Sequence, residues 1–189
     1  MPFDHFNLLA PIYERVISSP DIKLMLKHLA PGSGSLLLDA GGGTGRVSGL
    51  LTQYFGPVIL SDISMGMLKQ AGEKKGLRPA RALTETMPFA ENLFDRILLV
   101  DALHHVNDQA ETASELWRIL KPGGRIVIQE PDIRQFAVKL IAIAEKLALM
   151  RSHFLDPQEI TDIFLFDGAK VEIYSEDFSV WVIIKKMPG

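Results

Sequence analysis

The chain of 189 residues contains no cysteine. This absence excludes disulfide bonds, thiolate metal sites and cysteine nucleophiles, and it is compatible with the cytoplasmic location that we expect. Lysine and arginine form no run, and the net charge is −3, so we expect no nucleic-acid partner. Histidines and acids form no spacing typical of a metal site, and we predict none.

Long hydrophobic runs are also missing. The most apolar segment, Phe136–Met150, has 15 residues with charged ones among them, and it is too short and too charged to cross a membrane. The first residues, MPFDHFNLL, lack a basic stretch followed by an apolar one, so we do not expect a secretory signal. Length and composition favour one globular domain over residues 1–189.

Glycine, in contrast, is concentrated in one place. Residues 36–47 read LLLDAGGGTGRV, which predicts a strand, a tight turn and the start of a helix. Glycine permits a positive φ and lets backbone N–H groups approach a ligand, and a helix N-terminus favours an anion there. A plain glycine-rich turn is the alternative interpretation. Because Asp62 ends the next apolar run, where a carboxylate can bind both hydroxyls of a ribose, we predict a nucleoside site.

The spacing of the glycines separates two classes of ligand. The dinucleotide pattern G-x-G-x-x-G fails, since Arg46 or Val47 occupies its last position. The sequence instead has an acid followed by alternating glycines, in the order Asp39-x-Gly41-x-Gly43-x-Gly45.

Short apolar runs alternate with helical patterns along the chain. We predict buried strands at 36–38, 58–60, 96–100 and 125–129, and helices at about 46–54, 65–74 and 110–120. This alternation predicts an α/β fold with a doubly wound, mostly parallel sheet. Asp156-Pro157 predicts the start of a further helix that ends near residue 166. A C-terminal antiparallel hairpin is expected from strands 170–174 and 178–185, joined by residues 175–177.

Three further segments accompany the glycine motif: TMPF with FD downstream, DALHHV at 101–106 and LKPGG at 120–124. Their order and spacing over about half of the chain resemble the class I S-adenosylmethionine (SAM) dependent methyltransferases. Within that superfamily, the chain resembles the small-molecule branch that includes the ubiquinone/menaquinone-biosynthesis methyltransferases. The resemblance implies a Rossmann-like seven-stranded sheet, SAM as cofactor and a small-molecule acceptor, with a hydrophobic acceptor as one alternative.

The resemblance also implies roles for individual residues. Asp39, Gly41 and Gly43 would hold the methionine end of SAM, and Thr44 and Gly45 would line the same loop. Asp62 would bind the ribose, while Ile63, Leu83 and Thr84 would contact the adenine. Asp101 or Ala102 would close over the sulfonium. One position departs from the family pattern. Leu83 stands where Asp or Asn is frequent, so the usual side-chain bond to the adenine amino group is missing.

Three residues are candidates for catalysis: His104, His105 and Tyr13. Adjacent residues leaving a strand point in opposite directions, so we do not expect the two histidines to bind one metal ion. A structural role beneath the cofactor is the alternative for at least one of them. Tyr13 follows an A-x-x-Y pattern that resembles the quinone-biosynthesis branch, and an amphipathic helix is its other interpretation. In-line methyl transfer can proceed by positioning alone, without a dedicated base.

Two segments are expected to cover the active site: the N-terminal helical region 1–31 and the insert 133–155. Apolar residues within Phe136–Phe154 follow helical spacing, which is compatible with a core helix, a lid or a surface that rests peripherally on a membrane. We expect a monomer or a homodimer. The alternatives to a transferase are a SAM-binding protein that acts as a sensor or partner subunit, and an NAD-dependent oxidoreductase.

Overall fold

The computed structural model describes residues 21–136, 138–139, 152–176 and 178–189. Within these residues, seven strands form one sheet in the order β3-β2-β1-β4-β5-β7-β6. Their bounds are β1 Leu37–Ala40, β2 Val58–Asp62, β3 Leu77–Arg81, β4 Phe94–Val100, β5 Leu120–Pro131, β6 Ala169–Glu176 and β7 Ser179–Lys186.

The first five strands run parallel, and the two C-terminal strands are antiparallel to their neighbours. The predicted fold class, a mostly parallel doubly wound sheet that ends in an antiparallel hairpin, is therefore confirmed. The hairpin is longer than predicted. Because Glu176 pairs with Ser179, only two residues lie between the strands, and the expected three-residue loop at 175–177 is wrong.

Strand β3 is not predicted by the apolar pattern, since its sequence LRPAR is polar and contains Pro79. Its position explains this composition. As the edge strand of the sheet, β3 pairs only with β2, and an edge strand tolerates a proline that cannot donate to a neighbour.

Strand β5 begins directly after a helix rather than after a separate turn. Phe94 pairs with Leu120, whereas the next pair joins Arg96 to Arg125, so residues 121–124 bulge out of the ladder. Gly123 in this bulge has φ +79°, which glycine adopts at little cost. The LKPGG segment is therefore an irregular beginning of the strand itself.

Five helices with described bounds accompany the sheet: α1 Ile22–Leu29, α2 Ser48–Leu51, α3 Met65–Gly72, α4 Gln109–Ile119 and α5 Pro157–Ile163. Asp156 and Glu159 form the predicted capping box at the start of α5. Helix α2 is much shorter than the predicted 46–54, because glycines at 45 and 49 weaken helix formation and the flanking residues form turns. Helices α3 and α5 each end two or three residues before their predicted ends.

Buried apolar residues form two clusters, which cover the two faces of the sheet. Strands β1 and β4 are neighbours in the sheet, although β2 and β3 lie between them in the sequence. The strand order therefore reverses at this point, and the carboxyl ends of β1 and β4 border a crevice. In open α/β sheets, this is where ligands bind.

Candidate functional site

The glycine-rich loop follows β1 and closes on the end of β2. Gly41, Gly43 and Gly45 all have positive φ, between +56° and +73°. The N–H groups of Gly41 and Gly42 donate to the Ser61 carbonyl at 2.8 and 3.1 Å. These donors therefore serve the loop itself, and glycine contributes here mainly through its conformation and its missing side chain.

Asp62 ties this loop to the end of β2. Its Oδ2 accepts from the Gly43 N–H at 2.9 Å, and its Oδ1 accepts from the Ser64 N–H at 2.8 Å. A carboxylate offers about four lone-pair positions, so an acid at this place can accept more than two hydrogen bonds. Asp62 can therefore order the loop and accept a hydrogen bond from a ligand hydroxyl at the same time.

Asp39 lies at the base of the loop and is 1% exposed. Neither of its carboxylate oxygens makes a hydrogen bond of ordinary geometry within the described part of the chain, although the Ser48 hydroxyl lies close by. Burial raises the pKa of Asp39 to about 6, and the charge of Asp62 adds to the rise, while Ser48 and Arg46 oppose it. A side chain at Gly42 would collide with the Asp39 carboxylate, so this glycine leaves the acid its space. Asp39 is thus a buried acceptor to which no basic side chain of the described residues donates a hydrogen bond.

A tight turn follows β4 on the other side of the crevice. Asp101 has φ +51°, and residues Leu103–His105 form a 3₁₀ turn. Glu130, on β5, accepts from the N–H groups of Ala102 and Leu103 at 3.0 and 2.8 Å. Its other carboxylate oxygen contacts Nδ1 of His104. One buried acid therefore contacts two backbone donors and one imidazole ring of this turn.

The two histidine rings lie side by side, with centroids 4.0 Å apart. The prediction that they point in opposite directions is wrong, because these residues form a 3₁₀ turn and not an extended strand. His104 is buried against Glu130 and stacks on Phe154 at 4.3 Å between centroids. His105 faces the crevice, and burial together with the charge of His104 lowers its pKa to about 3.

These elements enclose a cavity of about 180 Å³. Its lining combines the loop, the ends of β2 and β4, and the segment after β3: Asp39, Gly41, Gly42, Gly43, Thr44, Arg46, Val47, Asp62, Ile63, Met67, Ala82, Leu83, Thr84, Glu85, Val100, Asp101, Ala102, His105, Val106 and Asn107. The rim is apolar in part, since Ile63 is 54% and Leu83 is 41% exposed.

Comparison with known proteins agrees with this geometry. The family described as "Methyltransferase domain" matches residues 38–128, which contain the glycine loop and the carboxyl ends of β1, β2 and β4. The ubiquinone/menaquinone biosynthesis C-methyltransferase UbiE of Edwardsiella ictaluri is 36% identical over 153 residues, covering 76% of this chain and 59% of that protein. The demethylmenaquinone methyltransferase of Thermobifida fusca is 36% identical over 104 residues, covering 52% of this chain and 44% of that protein.

The chain thus spans about half the length of these curated relatives. A crystal structure of a SAM-dependent methyltransferase from Thermotoga maritima has the same fold, with a TM-score of 0.81 at 22% identity, covering 96% of this chain and 98% of that one. Residues 38–128 therefore match a methyltransferase domain, and the chain has the fold of the class I SAM-dependent methyltransferases.

The residues of the cavity fit SAM, the cofactor of these related enzymes. SAM carries an ammonium on its methionine end, and Asp39 is a buried carboxylate that has no partner within the described residues. A buried ionised acid is stable only when it is paired or hydrogen-bonded, so an ammonium suits this position. The space around Asp39 depends on the missing side chain of Gly42.

Most of the sequence-predicted site residues come together at the cavity. Ten of the eleven predicted cofactor residues line it: Asp39, Gly41, Gly43, Thr44, Asp62, Ile63, Leu83, Thr84, Asp101 and Ala102. Gly45 does not line it, since a side chain there would meet Leu77 in the core, and this glycine serves packing. Of the predicted catalytic residues, His105 lines the cavity, His104 lies behind it, and Tyr13 lies outside the described residues.

Several residues of the lining carry no sequence signal that predicts them. Arg46 lies 4.0 Å from the Asp101 carboxylate across the crevice. Glu85 accepts from the N–H groups of Asn107 and Asp108 at 2.9 and 3.2 Å, which joins the two rims. Gly42 stands within the glycine run, so the motif itself could have predicted it.

Two kinds of feature are absent from the described residues. They contain no helix that is long and apolar enough to cross a membrane. In the same part of the chain, no three histidine, aspartate or glutamate side chains come together as metal ligands would.

Proposed function

We propose that this protein transfers the methyl group of SAM to a small acceptor molecule. The observation that carries the proposal is the buried Asp39 carboxylate at the base of the glycine loop, which lacks a partner within the described residues. When bound, SAM supplies a methyl group activated by the sulfonium. All other contributions come from side chains and backbone of the cavity.

We assign the methionine end of the cofactor to Asp39, together with the close approach that the backbone of Gly41 and Gly43 permits. Asp62 would accept hydrogen bonds from the ribose hydroxyls, and it already orders the loop through the Gly43 N–H. Ile63 and Leu83 offer exposed apolar surface to the adenine, next to Thr84. Asp101 and Ala102 would border the sulfonium end.

The chemistry assigned to His105 is positioning rather than proton transfer. Its lowered pKa of about 3 keeps the imidazole neutral at ordinary pH and makes it a weak base there. His104 contacts Glu130 and Phe154 and does not line the cavity. Holding donor and acceptor in line supplies a large part of such a rate acceleration without a base.

The extent of the domain, the class of acceptor, the location and the oligomeric state are also part of this proposal. We propose a single methyltransferase domain over residues 1–189, in which segments 1–31 and 133–155 cover the acceptor. The named activities of the UbiE relatives favour a hydrophobic acceptor such as a quinone precursor, whereas the net charge of −3 argues against a nucleic acid. A cytoplasmic protein, monomeric or homodimeric and able to touch a membrane surface, is compatible with these features.

Ligand-induced stabilisation tests the cofactor assignment. Thermal unfolding is measured with SAM, S-adenosylhomocysteine (SAH) and NADH, on the wild type, Asp62→Ala and the control Asp162→Ala, which makes the same change on α5. A ligand at about 100 times its Kd adds about 2.7 kcal/mol, or roughly 5–10 °C in this size range. We expect a shift with SAM and SAH that Asp62→Ala loses and Asp162→Ala keeps. No shift with either compound would overturn the proposal.

A second measurement tests the transfer itself. The wild type is incubated with SAM and a panel of quinones, phenols, amines and lipid headgroups, and the release of SAH is followed. We expect acceptor-dependent release with one chemical class. Tight SAM binding with no release from any class would favour a SAM-binding sensor or partner subunit instead.

A further inference from the structure

Glu130 is a buried acid that neither the sequence motifs nor the proposed cofactor contacts include. It is 3% exposed and lies near the end of β5. Its Oε1 accepts from two successive backbone N–H groups, those of Ala102 and Leu103, at 3.0 and 2.8 Å. Its Oε2 contacts Nδ1 of the buried His104. Both oxygens are therefore directed at one turn.

This turn forms one wall of the cavity. Ala102 and His105 line the cavity, whereas Glu130 and His104 do not. A Cβ atom added to Gly41 would lie 2.9 Å from the Ala102 Cβ, so the turn packs tightly against the glycine loop. A shift of the turn would therefore change the shape of the cavity both at the turn and at the glycine loop.

The same turn is also tied to the residues at the end of the 133–155 insert. The His153 N–H donates to the His104 carbonyl at 2.8 Å, and Gln109 Nε2 donates to the carbonyls of Leu103 and His153 at 3.0 and 2.7 Å. The His104 ring stacks on Phe154. Glu130 thus supports a turn that both lines the cavity and contacts His153 and Phe154.

We propose that Glu130 is a positioning residue, which sets the cavity wall formed by Ala102 and His105 without touching the ligand. This role of Glu130 rests on the proposed SAM-binding function. Removing the carboxylate leaves two adjacent backbone donors and the His104 ring without their acceptor in a buried place, and such groups then move to find new partners. The wall moves with them.

Three variants separate positioning from a general loss of stability. Glu130→Ala removes the acceptor, and Glu130→Gln keeps an oxygen that can serve both backbone N–H groups. Glu115→Ala is the matched control, because Glu115 likewise accepts from a backbone N–H, that of Met87 at 2.7 Å, and pairs with a basic side chain, Arg118. Glu115 does not line the cavity.

Binding of SAH is measured by calorimetry, below the unfolding temperature of each variant. We expect Glu130→Ala to raise the Kd of SAH about tenfold or more, which corresponds to one misplaced hydrogen-bonding contact. Glu130→Gln is expected to restore most of the affinity, and Glu115→Ala to retain it even where its unfolding temperature falls. In NMR spectra, the ring signals of His105 should shift in Glu130→Ala and stay in place in Glu115→Ala.

The outcomes keep the two proposals distinct. If the wild type does not bind SAH, the proposed function fails. If the wild type binds and Glu130→Ala binds equally well with unshifted His105 signals, the positioning role is overturned while the proposed function stands. Equal losses in Glu130→Ala and Glu115→Ala would also overturn it, since they would reflect stability alone. Should Glu130→Ala not fold, Glu130→Met takes its place, because it keeps the length of the side chain but offers no oxygen to the turn. Weakened SAH binding with shifted His105 signals in Glu130→Met supports the role, and unchanged binding with unshifted signals overturns it.

Discussion

Two carboxylates at different places in the sheet have opposite environments. Asp39, at the carboxyl end of β1, is buried without a hydrogen-bond partner within the described residues, and burial raises its pKa to about 6. Glu172, on the hairpin strand β6, receives two contacts of 2.7 Å from Lys185 Nζ. These hydrogen bonds, together with Lys170, lower the pKa of Glu172 to about 2. The hairpin acid is paired, whereas the acid of the loop is not.

The difference distinguishes an acid that stabilises the fold from an acid that is suited to binding a ligand. A paired acid at the surface contributes a little to stability and needs nothing more. A buried acid without a partner costs stability in the unliganded protein, and the fold retains it where a ligand can supply the missing cation. The contrast therefore marks the loop as the binding end of the sheet and the hairpin as its scaffold.

Replacing Asp39 by asparagine is expected to have the largest effect on binding. The substitution keeps the size of the side chain but removes the charge that would attract the ammonium. The Kd of SAH should rise about ten- to a hundredfold, as is typical of a lost hydrogen bond to a charged group. The free energy of unfolding without ligand should not fall, because a buried charge disappears. Calorimetry and denaturant unfolding measure the two quantities, and unchanged SAH binding would contradict the assignment.

Acid is expected to weaken binding through the same group. Below about pH 6 the unliganded Asp39 is protonated and no longer attracts an ammonium, so the Kd of SAH should rise by at most about tenfold per pH unit. The effect on stability has the opposite sign. Since the folded pKa exceeds the ordinary value of 3.8, Asp39 favours the unliganded fold at low pH, and that contribution is lost as the pH rises toward 6.

Calorimetric titrations at about pH 5 and about pH 7.5 check the pH dependence of binding. Asp39→Asn serves as the control, because a variant without the carboxyl should show a much flatter profile. A wild-type profile as flat as that of Asp39→Asn would show that the acid takes no part in binding.

Leu83→Asp should have a moderate effect in the opposite direction. Leu83 lies 41% exposed at the cavity rim, and the family resemblance of the sequence implies an Asp or Asn there that would accept from the adenine amino group. Supplying this acceptor should lower the Kd of SAH about two- to tenfold, the usual net value of one hydrogen bond. Leu165→Asp, an exposed leucine outside the cavity lining, is the control and should leave the Kd unchanged. If Leu83→Asp does not bind SAH more tightly than the wild type, the adenine does not lie next to residue 83.

Glu172→Gln completes the comparison with the smallest expected effect. The pair with Lys185 is partly exposed, so its loss should lower the free energy of unfolding by less than about 1 kcal/mol. Since the folded pKa of Glu172 is lowered, this contribution exists above about pH 4.5 and is lost as the pH falls toward 2. SAH binding should remain at the wild-type value. Weakened binding in this variant would mean that hairpin and loop are coupled.

The sequence determined the fold class and most of the cofactor cavity. Apolar runs bounded by turn residues are sufficient to predict buried parallel strands, since such strands need little from their neighbours beyond burial. The glycine spacing from Asp39 to Gly45 excluded a dinucleotide pattern, because the turn geometry is local to the chain. Eight of the ten predicted cofactor residues that line the cavity closely follow a predicted strand, whereas Leu83 and Thr84 follow β3 and were implied by the family resemblance alone.

Only the tertiary structure decided the rest. The polar edge strand β3 depends on its place beside β2, and no apolar pattern announces it. The sequence separates Glu130 from Ala102 by 28 positions, yet parallel pairing of β4 with β5 brings the acid to the turn. The side-by-side histidine rings and the burial of Asp39 likewise depend on how the chain turns and on what covers it. Local patterns encode backbone shape, whereas the partners, burial and pKa of a side chain are set by residues distant in the sequence.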